Sequence, residues 1–553
     1  MKEVSIRFAG LTGQGVEFAA EILAEACVLK GLNVYTYRWF PTIVRGGYTF
    51  SEIRISEEPV RAPPDKLDIV VLLDEAGLRD LDGLLEKDSI VVFDEDYRDV
   101  WLDARIIRIP LKKVSIETRS RPNVVAVGFV SGVLGLDFET VSKVLEKKIK
   151  KIELLESGLR GLDSGYRMSL KSDLKMIKVS GSGNIKTIVS GSDLVALAAL
   201  SAGCRFFAGY PITPSTGIME RLMKWIPEMG GVAVQVEDEL SAINMIIGAS
   251  YAGARAMTTT SGPGLSLMVE GIGFAAMAEI PIVVIDVQRV GPSTGLPTAH
   301  EQSDIDLATH PSHGDVPRIV LAPSKIEEYY TMTVLSFELA DKYRCPVILL
   351  LDQSYTMNYH SIDLLETRRS SGRISVHRQR EESLKIFPRY SEMESVPSPP
   401  IEGFLVVASS VEHDERGLSS QDGALHVMMS KKRMGKLKEL EDYPVAWEVR
   451  GDLDSYEAIV SVGSCSSTVD EVLRRINYGR IKHIPLKQLW PLPRKLEEVL
   501  ADVKRVYIVE QNASGQVLNL ISSKIPKNCE VKSVRKFDGH PFRPYEVYRE
   551  IIG

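Results

Sequence analysis

The sequence predicts an α/β protein built from three α/β domains. Three observations carry that class. Strand-like and helix-like stretches alternate from the start, with VSIRFAG, a helical run to about Lys30 and then NVYTYRWF. IPIVVIDVQ is a continuous apolar strand of the kind buried on both faces of a parallel sheet. Two polar stretches, DSGYRMSLKSDLKMIKVSGSGN and a proline-bearing region from about Asn358 to Asp454, interrupt the alternation and divide the chain.

The first domain, residues 1–165, continues with strands at KLDIVVLLD, DSIVVFD and RIIRIP. Helices follow at VVAVGFVSGVLGL and FETVSKVLEKKIKKIELL, completing a largely parallel α/β unit. Residues 166–184 are expected to be a linker. In the second domain, 185–358, helices at SDLVALAALSAG, GIMERLMKW, ELSAINMIIGASYAG and LSLMVEGIGFAAMA alternate with strands FFAG, VAVQV, RAMTTTS and IPIVVIDVQ. RIVLAP, a helix to Tyr343 and CPVILLLD close it. Residues 359–454 read as an irregular connecting segment over the surface. A third α/β unit spans 455–553, with strands YEAIVSVGS, IKHIPL, RVYIVE and CEVKSVRK.

Composition excludes several functions. A hydrophobic content of 44% and a charged content of 25% are those of a soluble globular protein. The net charge of −7 gives no support to a nucleic-acid-binding surface, which normally needs a basic stripe. No apolar run approaches the ~20 residues that cross a bilayer, and MKEVSIRFAG reads as a first strand rather than a signal peptide. Five scattered cysteines without a CxxC pair point to reduced thiols in the cytoplasm, and leave no set for an iron–sulfur cluster.

Four polar sites follow successive strands of the second domain. GYPITPST reads locally as a helix start, with Thr213 as N-cap and Pro214 as first helical residue, and alternatively as a hydroxyl offered to a ligand. VQVEDEL places Glu237 and Glu239 where a strand enters a helix, as solvated caps or as functional carboxylates. TTTSGPG allows close backbone approach at Gly262 and Pro263. Arg289 ends the apolar strand, followed by Ser293, Thr294 and Thr298 in a loop. Such strand ends form the ligand crevice of parallel sheets. In the first domain the turn at Gly10, Gly13 and Gly15 has the spacing G-x-x-G-x-G, and no acidic residue ends NVYTYRWF, which argues against a Rossmann dehydrogenase. A phosphate-bearing ligand there, helped by Arg45-Gly46-Gly47, stands beside a plain packing turn. The spacing of His300, His310 and His313 fits no familiar metal motif, so no metal is predicted in this chain.

YPITPST, VQVEDELSAINMIIGAS, TTTSGPG, VQRVGPSTGLPT and HEQSD together resemble the α subunit of the 2-oxoacid:ferredoxin oxidoreductases. AGLTGQGVEFAAEIL with FPTIVRGGYTF resembles the γ domain of that family, fused ahead of α. VEHDERG with KKRMGKL, SVGSCSSTVDEVL, LKQLWPLP, VYIVEQNASGQV and DGHPFRPYEV resemble the rest of α, including a transketolase C-terminal-like domain.

The resemblance implies coenzyme A-dependent oxidative decarboxylation of a 2-oxoacid, 2-oxoglutarate or pyruvate, with thiamine diphosphate and reduction of ferredoxin. YPITPS followed by Thr is similar to 2-oxoglutarate-type and broad-specificity members. Residues 185–358 would be the pyrimidine-type domain. Because no GDG run is present, a β subunit would supply diphosphate contacts, Mg²⁺ and the [4Fe-4S] cluster, as αβ or (αβ)₂. By the same resemblance Glu239 meets the aminopyrimidine, with Glu237 as the other candidate. Pro211, Gly262 and Pro263 line the cofactor. Thr213 contacts the reacting 2-oxoacid, Arg289 its carboxylate, and Tyr210, Ile212, Ser293, Thr294 and Thr298 complete the substrate site. Gly13, Gly15, Arg45 and Gly46 are the expected coenzyme A contacts, although Thr12 interrupts the usual glycine run. A non-catalytic assembly subunit retaining the fold is the alternative.

Overall fold

A computed structural model of the full chain describes residues 3–42, 46–97, 101–174, 177, 186–363, 385–390, 404–476 and 481–552. Two compact units emerge: residues 1–190 with 358–366 and 542–548, and residues 191–357 with 367–541 and 549–553.

The first unit holds a mixed eight-stranded sheet. Its order is Arg105–Ile109, Ile90–Asp94, Ile69–Leu72, Glu3–Leu11, Tyr48–Ser56, Asn33–Trp39, Tyr359–Ile362 and Thr187–Ser190. The first four run parallel, but Tyr48–Ser56 enters antiparallel between Glu3–Leu11 and Asn33–Trp39. That strand is absent from the sequence reading because it carries Glu52 and Arg54. Both are buried and charge-compensated. Glu52 accepts from Arg7 Nε at 3.1 Å and Arg543 Nη2 at 2.9 Å, and Arg54 Nε donates to Glu3 at 2.6 Å.

The expected linker begins too early. One helix covers Ile152–Leu170, separated from Phe138–Lys148 by a short break rather than joined to it. Its small residues pack against the helix Pro122–Val133. A Cβ at Gly165 would lie 2.0 Å from the Val125 carbonyl, and one at Gly128 would lie 2.1 Å from that of Leu162. Ser and Gly here permit backbone contact between helices rather than chain freedom. Gly165→Ala should therefore destabilise the chain by the ~1–3 kcal/mol typical of overpacking, seen in calorimetry as a lowered unfolding temperature.

Residues 187–190, which the 185–358 boundary places in the second domain, form the strand Thr187–Ser190 and pair with Tyr359–Ile362 in the first sheet, with Ser190 opposite Tyr359. The chain thus leaves this sheet and returns to it on adjacent strands.

In the second unit one sheet orders Gln488–Trp490, Ile319–Leu321, Pro346–Asp352, Ile282–Gln288, Ala256–Thr260, Phe206–Gly209 and Val232–Gln235. All neighbours are parallel except the pair Ile319–Leu321 and Gln488–Trp490. A second sheet runs Arg450–Gly451, Lys482–Pro485, Glu457–Ser461, Arg505–Glu510 and Glu530–Arg535, with only the first strand antiparallel. Val284, Ile348, Val460, Ile484 and Ile508 belong to one continuous apolar core that joins the two sheets.

The segment read as irregular, 359–454, contains the helices Gly423–Gly435 and Lys438–Asp442. Lys432, Arg433 and Lys436 of KKRMGKL are buried rather than solvated. Glu279 explains the two lysines, its carboxylate meeting Lys436 at 2.7 Å, Lys432 at 2.8 Å and Arg344 at 3.1 Å, while Arg433 Nη2 pairs with Glu412 at 2.8 Å. Much of the polar sequence at 364–384 and 391–403 lies outside the described residues.

Candidate active site

Thr213 follows the strand Phe206–Gly209, in a turn that precedes the helix Thr216–Glu228. The capping expectation needs correction: Ser215, not Thr213, is the N-cap, and Pro214 lies ahead of the helix. Ile212 O accepts from the backbone N–H groups of Ser215 and Thr216 and from the Ser215 hydroxyl, which closes the turn. Among the described residues, no hydrogen bond engages the Thr213 hydroxyl. The Thr213 carbonyl accepts from Arg289 Nη1 at 2.6 Å. Arg289, 6% exposed, thus ties the end of one strand to the turn after another. Burial lowers its guanidinium pKa, against the raising influence of Asp304 and Asp286.

Glu239 is the first residue of the helix Glu239–Tyr251, capped by Asp238, whose carboxylate accepts from Ser241 N at 2.7 Å. Glu239 is 5% exposed and its carboxylate has no hydrogen-bond donor or counter-ion among the described residues. Glu237 is exposed and accepts from the Ser241 hydroxyl at 2.8 Å. The two alternative carboxylates therefore occupy opposite environments. Gly264 makes the difference possible, because a Cβ there would lie 2.5 Å from Glu239 Oε1. The hydroxyl of Ser261, at the N-cap of the helix Gly262–Met277, is also buried without a partner.

Gly262, Pro263, Arg289 and Ser293 line a cavity of about 620 Å³ together with Glu301, Asp304, Asn512 and Gln516. The last four had no role in the sequence reading, although HEQSD and EQNASGQV contain them. Gln302 explains why those motifs go together. Its side chain donates to Asp352 at 2.8 Å and to the Val462 carbonyl at 2.9 Å, and its carbonyl accepts from Asn512 at 3.1 Å. Burial pushes the Glu301 carboxyl up to about 7, against a hydrogen bond from Ser303 that favours its charge.

Tyr210 and Pro211 are exposed beside the Thr213 turn, with Ile212 half-buried. Ser293 and Thr294 sit on the exposed tip of the turn bridged by Val290 and Leu296. Thr298 is half-buried, and its carbonyl accepts from Gln353 Nε2 at 3.1 Å. No hydrogen bond joins Tyr210, Pro211, Thr294 or Thr298 to Glu239 or Arg289 among the described residues. His300 is buried, and its Nε2 meets Gln511 Oε1 at 3.0 Å.

In the first unit Gly13 and Gly15 have φ values of +97° and +77°, and line a hollow of about 450 Å³ with Glu17, Glu21 and Phe40. Thr12, the residue that breaks the glycine run, donates from its backbone N–H to Gly47 O at 2.9 Å and so pins this turn to Gly46-Gly47. Arg45 lies outside the described residues.

Residues 197–431 match the family described as "Pyruvate flavodoxin/ferredoxin oxidoreductase, thiamine diP-bdg", and residues 5–168 match "Pyruvate ferredoxin/flavodoxin oxidoreductase". Among solved structures, the fold superposes with a TM-score of 0.90 on a 2-oxoglutarate:ferredoxin oxidoreductase from Magnetococcus marinus with 2-oxoglutarate, coenzyme A and succinyl-CoA bound. The two are 32% identical, over 100% of this chain and 99% of that one. The chain belongs to the 2-oxoacid:ferredoxin oxidoreductases. A 2-oxoglutarate synthase subunit KorA of Methanocaldococcus jannaschii is 37% identical over 66% of this chain and 99% of its own length. A 2-oxoacid:ferredoxin oxidoreductase subunit alpha from Sulfolobus is 28% identical over 98% of this chain and 95% of its own. As a member of this family the chain is an oxidoreductase subunit of the α type. No helix among the described residues is long and apolar enough to cross a membrane.

Proposed function

We propose that this chain supplies the pyrimidine-side half of a thiamine diphosphate site for the coenzyme A-dependent oxidative decarboxylation of a 2-oxoacid, 2-oxoglutarate foremost. A β subunit carrying the GDG motif would hold the diphosphate, Mg²⁺ and a [4Fe-4S] cluster, with ferredoxin as acceptor. The substrate follows the relatives' printed names and the 2-oxoglutarate bound in the Magnetococcus marinus structure. The observation that carries the reading is the buried Glu239 carboxylate without a partner, on the same sheet edge as the Arg289–Thr213 contact.

A buried carboxylate without a donor is costly unless a ligand completes it. A protonated ring nitrogen is such a ligand, so the site fits the aminopyrimidine. Thiamine diphosphate, when bound, supplies the electron sink. Glu239 holds the proton at the ring nitrogen. Arg289 presents a guanidinium fork to the substrate carboxylate. Thr213 directs its hydroxyl at the oxygen where charge develops. Exposed apolar residues near this edge, including Tyr210, Leu240 and Leu296, suit a surface covered by the β partner. Gly13, Gly15 and Gly46 support coenzyme A docking through backbone approach, although Glu17 and Glu21 keep phosphate away from part of that hollow.

Kinetics on the enzyme assembled with its β subunit test these roles. Arg289→Lys keeps the charge but loses the fork, so KM for every 2-oxoacid should rise with a smaller fall in kcat. Thr213→Val should lower kcat by about 10–10³-fold, the scale of one lost transition-state donor. Since Thr213 caps no helix, its melting temperature should stay at the wild-type value. Wild-type kcat in Thr213→Val would remove the hydroxyl from the reaction. A purified chain that alone reduces methyl viologen would refute the need for a β subunit.

A further inference from the structure

Asp286 and Asp304 face each other beneath Arg289. Asp286 lies on the strand Ile282–Gln288 at 0% exposure, and neither of its carboxyl oxygens meets a donor in the described structure. Oδ2 of Asp304 also lacks a donor, and its Oδ1 lies 2.5 Å from where a Cβ of Gly262 would sit. The two carboxyls are within hydrogen-bonding reach of one another. Arg289 is the cation acting on both, and its buried Nε is unpartnered. Glu301 lines the same cavity as Asp304, the charges of Asp304 and Asp538 act on it, and the backbone amide of Gly262 donates to Asp304.

Two buried carboxyls in contact, with no donor to Asp286 and only the Gly262 amide to Asp304, are held short of double ionisation by their mutual repulsion. They hold one proton and one negative charge, which balances Arg289. A substrate carboxylate arriving at Arg289 brings a second negative charge into the same enclosed space. The geometry points to Asp286 and Asp304 as a positioning pair that shares one proton when the site is empty and takes up a second from solvent when a 2-oxoacid binds Arg289. This rests on the reading of Arg289 as the carboxylate clamp. Burial sets the direction, holding Asp304 up at about 6 before any ligand adds its charge, while Arg289 opposes. Between that value and the higher one in the complex, affinity should weaken about tenfold per pH unit as the proton to be taken up becomes scarcer.

Calorimetric titration of 2-oxoglutarate into the assembled enzyme, in buffers of different ionisation enthalpy, counts the protons. The expected result is uptake approaching one proton at pH 7.5, and a Kd that rises about tenfold per pH unit above pH 6.5. Asp304→Asn leaves the pair a donor and one fixed charge, so uptake should vanish and the pH dependence flatten. Glu301→Gln should retain both. Binding without proton uptake in the wild type, or unchanged uptake in Asp304→Asn, would overturn the pair's role. Absence of any binding would instead overturn the clamp reading, and this inference with it. Infrared spectra of the substrate-free full chain provide a second readout. In the Glu301→Gln background, which removes the cavity's other raised carboxyl, a protonated-carboxyl stretch present at neutral pH should be lost on adding Asp286→Asn or Asp304→Asn, and its absence from that background would also refute the shared proton.

Discussion

Glu239→Gln should cut turnover of the assembled enzyme by about 10²–10⁴-fold, the range for loss of an acid–base group. The substitution keeps the side chain's size, so the close fit against Gly264 and Thr260 survives. What goes is the charge that favours a proton on the ring nitrogen. The folded chain should not lose stability, because no hydrogen bond or ion pair within the described residues is broken. An unchanged melting temperature beside a collapse in kcat is the expected signature. Glu237→Gln, on an exposed residue held only by Ser241, should leave both quantities near wild type. If Glu237→Gln is the crippling change, the assignment is displaced by two residues along the chain.

The largest expected effect on stability belongs to Glu279. Replacing it with Gln leaves Arg344, Lys432 and Lys436 in the interior without their shared counter-charge, which costs about 3–5 kcal/mol for a broken buried pair. Urea unfolding, followed by fluorescence, would measure the loss. Lys436→Met in the Glu279→Gln background should recover part of it, since neighbours in one network do not add. The pH dependence has a definite sign. Burial would raise the Glu279 carboxyl, but Lys436, Lys432 and Arg344 overcome this and hold it at about 2, below the ordinary 4.5. Its contribution is therefore complete above pH 4.5 and is lost as pH falls toward 2. Lys432 moves the other way from an ordinary ion pair, down to about 8, because burial outweighs Glu279, whose attraction is divided among three cations. The cluster is thus held by one anion, and that anion is the residue to remove.

Regular alternation made most of the second unit legible, and its strand ends gave the sheet edge on which Thr213, Glu239, Gly262 and Arg289 lie. Legibility failed where charge or small residues were buried. Glu52 and Arg54 concealed a strand because their partners Arg7, Arg543 and Glu3 are distant in sequence. Gly165 and its polar neighbours concealed the end of the helix Ile152–Leu170, because a glycine at a close helix crossing looks like a glycine in a loop. Asp286 was read as part of an apolar strand, and its companion Asp304 sits at the end of HEQSD, so only the fold could bring the two together. Gln302 shows the same limit from the other direction: its motif was recognisable, but its bonds to Asp352, Val462 and Asn512 depend on two sheets sharing one core.

The pairing of Ser190 with Tyr359 has a consequence for how such a chain can be rebuilt. Seen from the first sheet, residues 191–358 are the connection of a β-hairpin, whose two ends emerge side by side. Closing a connection becomes costlier only with the logarithm of its length, so a whole lobe weighs on the sheet little more than a long loop would. The seam at Ser190 and Tyr359 keeps its register in any such rebuilding, but a replaced lobe must bring its share of 367–541 with it, because Val460, Ile484 and Ile508 complete the core that Val284 and Ile348 begin.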